Sequence, residues 1–190
     1  MALFYNWFFP AVWILFLLYW QVKASDTKAT TRLESPVSRA VRAVVFLIAI
    51  VLLSAPRLPL PIFYRPILKQ GLPTFVTGAV VTLAGVFFAV WAREHLGKNW
   101  SRSVTVKQDH ELITSGPYAL VRHPIYTGIL TGFLGSALAE GQVRSLIAFV
   151  LVSAVLWFKL RLEERWMRDT FGDSYAMYAR RVAALVPYVL

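Results

Sequence analysis

Two polar stretches interrupt an otherwise apolar sequence and hold the side chains that could do chemistry, Arg93 to Gly128 and Arg161 to Pro187. In the first, a charged Arg122 and a titratable His123 stand directly before Pro124, which opens an apolar run. Proline suits the first turn of a helix because its missing N–H would have no partner there. The remaining free N–H groups and the helix dipole favour an anion at that end, so Arg122 and His123 stand where a negatively charged ligand group gains most. Local residues weigh this evenly against an interfacial role, in which Arg122 snorkels to lipid phosphate. In the second stretch, Glu163 and Glu164 follow the last apolar run by less than a turn, mixed with Arg161, Arg165 and Arg168. Carboxylates so near a hydrocarbon boundary are costly unless paired or ligand-bound, which makes at least one of them a functional candidate. The i to i+4 spacing of Arg161 with Arg165, and of Glu164 with Arg168, equally fits a surface helix laced with ion pairs.

Beyond these, Phe171, Gly172 and Asp173 break the helix, and Tyr175 and Tyr178 recur three residues apart on a new one, where periodicity alone makes them packing residues. Tyr118 and Tyr126 read as interfacial belt aromatics, Gly116 with Pro117 as a turn, and Gly128 as a small helix-packing residue. Asp109 and His110 read as solvated loop residues.

The elements that must position these residues are membrane spans. The 190 residues are 57% hydrophobic, above the apolar share of an ordinary soluble domain. About 20 residues are needed per crossing, so the length suits one compact bundle. Apolar runs place spans near Phe4 to Val22, Ala40 to Ala55, Leu72 to Ala92, Ile125 to Ala139 and Ser145 to Leu160. A polar linker covers Lys23 to Arg39, and a proline cluster at Pro56, Pro59, Pro61 and Pro66 ends the second run. Gly78 and Gly85 give the third span a face that admits a close neighbour. The loop Glu140 to Arg144 permits only an antiparallel helical hairpin. The first run carries no basic residue ahead of it and no small-residue cleavage site after it, so it reads as a permanent anchor.

Sixteen of the 20 lysines and arginines fall in segments 23 to 42, 93 to 124 and 159 to 190, on one side of these spans. The positive-inside rule makes that side cytoplasmic, with the N-terminus out and the C-terminus in, as expected for a bacterial inner membrane. The net charge of +10 is thereby read as topology and contact with anionic headgroups, and nucleic acid is not an expected partner. Without cysteine there is no disulfide, thiolate metal site or cysteine nucleophile. The fold class expected is all-α, an integral membrane bundle of about five transmembrane helices with a helical ligand-binding region on the cytoplasmic side.

The run GPYALVRHPIYTG (Gly116 to Gly128), the helical hairpin, the pair Glu163 and Glu164, and FGDSYAMYARRV resemble, in this order and spacing, the C-terminal region of isoprenylcysteine carboxyl methyltransferases and related bacterial membrane methyltransferases. LGKNWS (Leu96 to Ser101) is similar to the bacterial members. The resemblance covers about Arg93 to Pro187; the first two spans add nothing to it. It implies N-terminal transmembrane helices over residues 1–92 and a methyltransferase region over 93–190. It also implies S-adenosylmethionine bound on the cytoplasmic side without a Rossmann sheet, in keeping with the lack of a Gly-rich dinucleotide loop. Carried over by motif match, His123, Pro124 and Tyr126 would line the cofactor pocket, with Gly116 and Tyr118 nearby. Glu163, Glu164, Tyr175 and Tyr178 would close it from the other side. Arg122 and Arg161 would hold the acceptor's negative charge, with Arg93 a weaker third. Eukaryotic members run quickly into a VP-containing tail after the tyrosines, whereas here Arg181 and Val182 precede AALVP, which puts cofactor contacts from the last ten residues in doubt.

The reaction implied is an in-line methyl transfer governed by positioning, with no metal required. The acceptor would be lipid-attached, foremost the carboxylate of an isoprenylcysteine-like group, which is already ionised at neutral pH. The alternative is the amine of an ethanolamine-type phospholipid, which must first lose a proton to Glu163, Glu164 or His123. From another class, a non-enzymatic membrane scaffold or small transporter also fits the basic loops.

Overall fold

A computed structural model describes residues 2–23, 30–54, 58–97, 100, 105–107 and 112–188. Five helices follow one another as α1 (Ala2–Lys23), α2 (Pro36–Ser54), α3 (Leu72–Leu96), α4 (Pro124–Glu140) and α5 (Val143–Arg181). The all-α expectation holds, with one addition. Within the linkers read as polar, β1 (Thr30–Leu33) and β2 (Thr105–Lys107) pair antiparallel, Leu33 opposite Thr105. Each strand has only three or four residues, too short for an alternating pattern to stand out in the sequence.

α2, α3 and α5 are long and apolar enough to cross a membrane, and α1 is apolar over Trp7–Lys23. α4, with 17 residues, lies at the short end of what spans. α5 has 39 residues with a kink at Gly172, and the stretch before the kink, Val143 to Phe171, is about 44 Å long, well beyond a hydrocarbon core of about 30 Å. Its apolar part ends at Leu160, so the half carrying Glu163, Glu164, Tyr175 and Tyr178 projects beyond the bilayer core.

The tightest contact in the bundle joins α3 to α4 through glycines. A Cβ on Gly85 would lie 2.4 Å from Gly132 N and 2.5 Å from Gly128 O, and one on Gly78 2.5 Å from Gly135 O. The two backbones touch, as small residues permit in a solvent where apolar side chains gain nothing by leaving lipid. Thr82 and Ser136 share a hydrogen bond at 3.3 Å inside this interface, and Trp13 of α1 donates its indole N–H to Ser136 Oγ at 3.0 Å. α2 is mostly exposed, with Val37, Val41, Val44, Leu47, Ile48 and Val51 turned outward, as suits a lipid-facing helix.

The two ends of the bundle differ. At one end the α4–α5 turn is tied to the chain before α3: Ile67 N–H donates to Gly141 O at 2.7 Å and Val143 N–H to Arg65 O at 3.1 Å. Buried Arg144 bonds Leu52 O at 3.2 Å and pairs with Glu140 at 2.7 Å. At the other end meet the C-termini of α1 and α3, the N-termini of α2 and α4, and the projecting half of α5.

Candidate active site

The segment before α4 is held by the chain after α5. Arg122 N–H donates to Ala183 O at 2.8 Å, His123 N–H to Ala184 O at 3.0 Å, and Thr127 Oγ1 to Leu185 O at 2.7 Å. The His123 bond satisfies a donor that the start of α4 would leave unpaired, and the other two tie the flanking residues to the same strap. The last ten residues, whose part in the site the sequence left in doubt, thus include the strap that fixes the RHP turn. Gly172 makes this return possible. Its φ of +51°, in the left-handed region, kinks α5 and lets the final turns fold back. Tyr175 and Tyr178 end up buried with ring centroids 6.0 Å apart, and the Tyr178 hydroxyl donates to Tyr118 O at 2.6 Å.

Between these parts lies a cavity of about 460 Å³, within the usual range for a small-molecule site. Of the sequence-predicted residues, Tyr118, Arg122, His123, Pro124, Tyr126, Glu163, Tyr175 and Tyr178 line it. The His123 and Tyr126 rings stack nearly parallel, 7° between planes and 5.4 Å between centroids. His123 is wedged between the two glutamates, Nδ1 3.6 Å from Glu163 and Nε2 3.5 Å from Glu164. Nε2 is buried and makes no hydrogen bond of normal length. Burial alone would lower the His123 pKa; Glu163 and then Glu164 outweigh it and raise it above the ordinary value of 6.5. The same burial would raise the Glu163 and Glu164 carboxyls. Lys159 and His123 hold Glu163 low, and His123 with Arg122 holds Glu164 low.

Five predicted residues stand elsewhere or act differently. Glu164 is buried behind the cavity wall; Arg122 donates Nε to it at 2.8 Å and reaches it again through Nη2, and Arg168 adds a bond at 3.1 Å, the i to i+4 pair read from the sequence. Arg122 also donates to Ala179 O at 3.1 Å and to Val182 O, so its guanidinium is spent on protein acceptors. Arg161 is not at the cavity. It is exposed, with its guanidinium 5.8 Å above the Trp157 ring. At about 100° per residue it points roughly 200° away from Lys159, which does line the site. Gly116, with φ of +59°, does not line the cavity either: a Cβ there would lie 2.6 Å from the His95 ring packed on it. Arg93 lies buried against Trp100, 4.5 Å from its ring, and donates to Lys23 O at 2.7 Å. Lys98, Asn99 and Ser101 of the LGKNWS run, and Asp109 and His110, lie outside the described residues.

Sequence reasoning missed the contribution of the first two helices. Trp20 of α1 and Arg39, Arg42, Ala43 and Phe46 of α2 line the cavity, as do Lys159 and Met167 of α5. The signal was present for α2: positions 39, 42, 43 and 46 form one helical stripe. The basic residues in it had been attributed to topology.

Fold and site together define an integral membrane helical protein with a cavity built at one end of a helical hairpin and bordered by the C-terminal turns of α5. Residues 73–174 match the family model described as phospholipid methyltransferase. The chain belongs to this methyltransferase family. A protein-S-isoprenylcysteine O-methyltransferase of Schizosaccharomyces pombe is 36% identical over 111 residues, covering 55% of this chain and 46% of that protein. Protein-S-isoprenylcysteine O-methyltransferase B of Arabidopsis thaliana is 31% identical over 136 residues, covering 67% of this chain and 66% of that one. The chain thus spans about half to two thirds of the length of these relatives. The solved structure of a eukaryotic intramembrane Ras methyltransferase, isoprenylcysteine carboxyl methyltransferase, shares the fold with a TM-score of 0.57 at 21% identity, over 80% of this chain and 52% of that one.

Proposed function

We propose that this protein is an S-adenosylmethionine-dependent methyltransferase that methylates the carboxylate of an isoprenylcysteine-like or other lipid-attached acceptor, on the cytoplasmic face of the membrane. The arrangement of His123 between Glu163 and Glu164, in the lining of a cavity walled by Tyr118, Tyr126, Tyr175 and Tyr178, is the observation that carries it. The residues fit the cofactor chemically: aromatic faces suit an adenine ring, and the Glu163 carboxylate suits the positive charge of a sulfonium or ammonium group. When bound, S-adenosylmethionine supplies an electrophilic methyl group.

Tyr118, Tyr126, Tyr175 and Tyr178 with Pro124 would hold the cofactor, and His123 with Glu163 would orient it. Arg122 and Glu164 act through the others as positioning residues, because their mutual pair and the bonds to Ala179 O and Val182 O anchor the RHP turn to the tail. Catalysis rests on alignment of acceptor and methyl group.

Protonation states favour a carboxylate acceptor over an amine. A phospholipid ammonium must lose a proton before it attacks. Both glutamates are held below the ordinary carboxyl range and are therefore poor bases, and His123 is biased toward imidazolium, the form with no lone pair to take the proton. A carboxylate needs no base. An apolar attachment on the acceptor accounts for housing the reaction in a bilayer, since the tail can enter sideways between helices.

Calorimetry of the purified protein with S-adenosylhomocysteine tests the cofactor half of the proposal; no binding at millimolar ligand refutes it. Incubation with labelled methyl donor and either a prenylcysteine analogue or ethanolamine phospholipid tests the acceptor. Base-labile label released as methanol is the expected result, and base-stable label on the phospholipid would overturn the carboxylate reading.

A further inference from the structure

Among the described residues, four arginine and lysine side chains line the cavity: Arg39, Arg42, Arg122 and Lys159. Three are neutralised by acids beside them. Arg42 donates twice to buried Glu34, at 2.7 and 2.6 Å. Arg122 is paired with Glu164. Lys159 lies 3.5 Å from Glu163, with its ammonium 4.9 Å from the centre of the Tyr126 ring. Arg39 differs from all of these. It has no acidic partner among the described residues, and its Nε is buried without a hydrogen bond. A guanidinium N–H taken out of water without an acceptor is destabilising, so a ligand that supplies the acceptor recovers that loss on binding.

The surroundings say what kind of ligand. Along α2, Arg39, Arg42, Ala43 and Phe46 recur at i, i+3, i+4 and i+7 on one stripe, and Phe46 lies about 10 Å further along the axis than Arg39. Ile129 of α4 and Leu156 of α5 complete an apolar wall with Ala43 and Phe46. One cavity therefore offers, on α2, a guanidinium with no acidic partner among the described residues and an apolar wall running on from it along the same helix. The planar fork of an arginine matches a carboxylate or phosphate in two parallel hydrogen bonds.

The structure assigns to Arg39 the binding of the acceptor's anionic group, with the acceptor's apolar chain lying along Ala43, Phe46, Ile129 and Leu156. This assignment rests on the methyltransferase function proposed above and concerns a residue outside the segment 73–174 matched by the family model. It replaces Arg122 and Arg161, of which the first is saturated by protein acceptors and the second lies outside the cavity.

The test uses the full chain in lipid nanodiscs, with S-adenosylhomocysteine bound first and two probes added, N-acetyl-S-farnesylcysteine and its uncharged carboxamide. Arg39→Ala should leave the S-adenosylhomocysteine affinity within about twofold, which also reports an intact fold. It should weaken binding of the carboxylate probe by about tenfold or more, the loss of one charge-assisted hydrogen bond, and leave carboxamide binding unchanged. Arg39→Lys should restore part of the carboxylate affinity. Unchanged carboxylate binding in Arg39→Ala would overturn the assignment, as would wild-type protein that does not distinguish carboxylate from carboxamide. A tenfold fall in S-adenosylhomocysteine affinity would overturn it too, by giving Arg39 to the cofactor's carboxylate. Absence of S-adenosylhomocysteine binding by the wild type would refute the methyltransferase reading itself.

Discussion

The pairing of Arg122 with Glu164 makes a prediction that separates anchoring from chemistry. The two side chains are 11% and 4% exposed and lie 42 residues apart in sequence. Glu164→Leu would leave a guanidinium facing a carboxylate-shaped apolar group; its remaining acceptors are Ala179 O and Val182 O. Arg122→Met would leave Glu164 with Arg168 and the partial charge of His123. Stranding one member of a buried pair costs about 3–5 kcal/mol, whereas replacing both by apolar groups of similar volume removes the stranded charge. The double variant should therefore be more stable than the sum of the single losses by about 1–3 kcal/mol. At about 2–4 °C per kcal/mol for a chain of this length, Glu164→Leu should melt roughly 6–20 °C lower than wild type, and Arg122→Met, whose Glu164 keeps Arg168, by less. The double variant should recover at least several degrees of the summed drop. Thermal unfolding of all four proteins in one detergent, without ligand, measures this cycle. Additivity within about 0.5 kcal/mol would refute the coupling and with it the role of this pair as the anchor between the RHP turn and the tail.

Other consequences follow from the same geometry. Gly85→Ala, which sets a methyl group 2.4 Å from Gly132 N, should destabilise the α3–α4 contact by about 1–3 kcal/mol, read as a lower melting temperature. Because the His123 pKa is raised on folding, its contribution to stability is complete below the unfolded value of 6.5 and is lost as pH rises through the folded value. The melting temperature of the wild type should accordingly fall on the alkaline side of 6.5 with a component that His123→Gln abolishes; parallel pH profiles for the two proteins would contradict this. Arg161→Ala, at an exposed position away from the cavity, should change stability by no more than about 0.5 kcal/mol and leave S-adenosylhomocysteine affinity unaltered by calorimetry.

Much of this protein follows from the order of its residues alone. Apolar runs of spanning length can only be helices in lipid, where every backbone group must bond within its own segment, so five helices and their hairpin are legible in the sequence. Gly78, Gly85 and Gly128 were legible as packing residues because only small residues let two helix backbones touch, whereas the structure decided that α3 and α4 are the helices they join. His123, Pro124, the glutamate pair and the tyrosines were legible through a local motif. What the tertiary structure decided is the use of each charge. Arg122 and Arg161 look alike in sequence, yet one is buried against Glu164 and the tail carbonyls while the other lies on the far face of α5. Arg39 and Arg42 had the appearance of topology signals, and only the approach of α2 to α5 turned their stripe toward the cavity. Spacing along a helix fixes which side chains share a face; which neighbour that face meets, and therefore whether a charge finds a partner, depends on contacts between segments far apart in the chain.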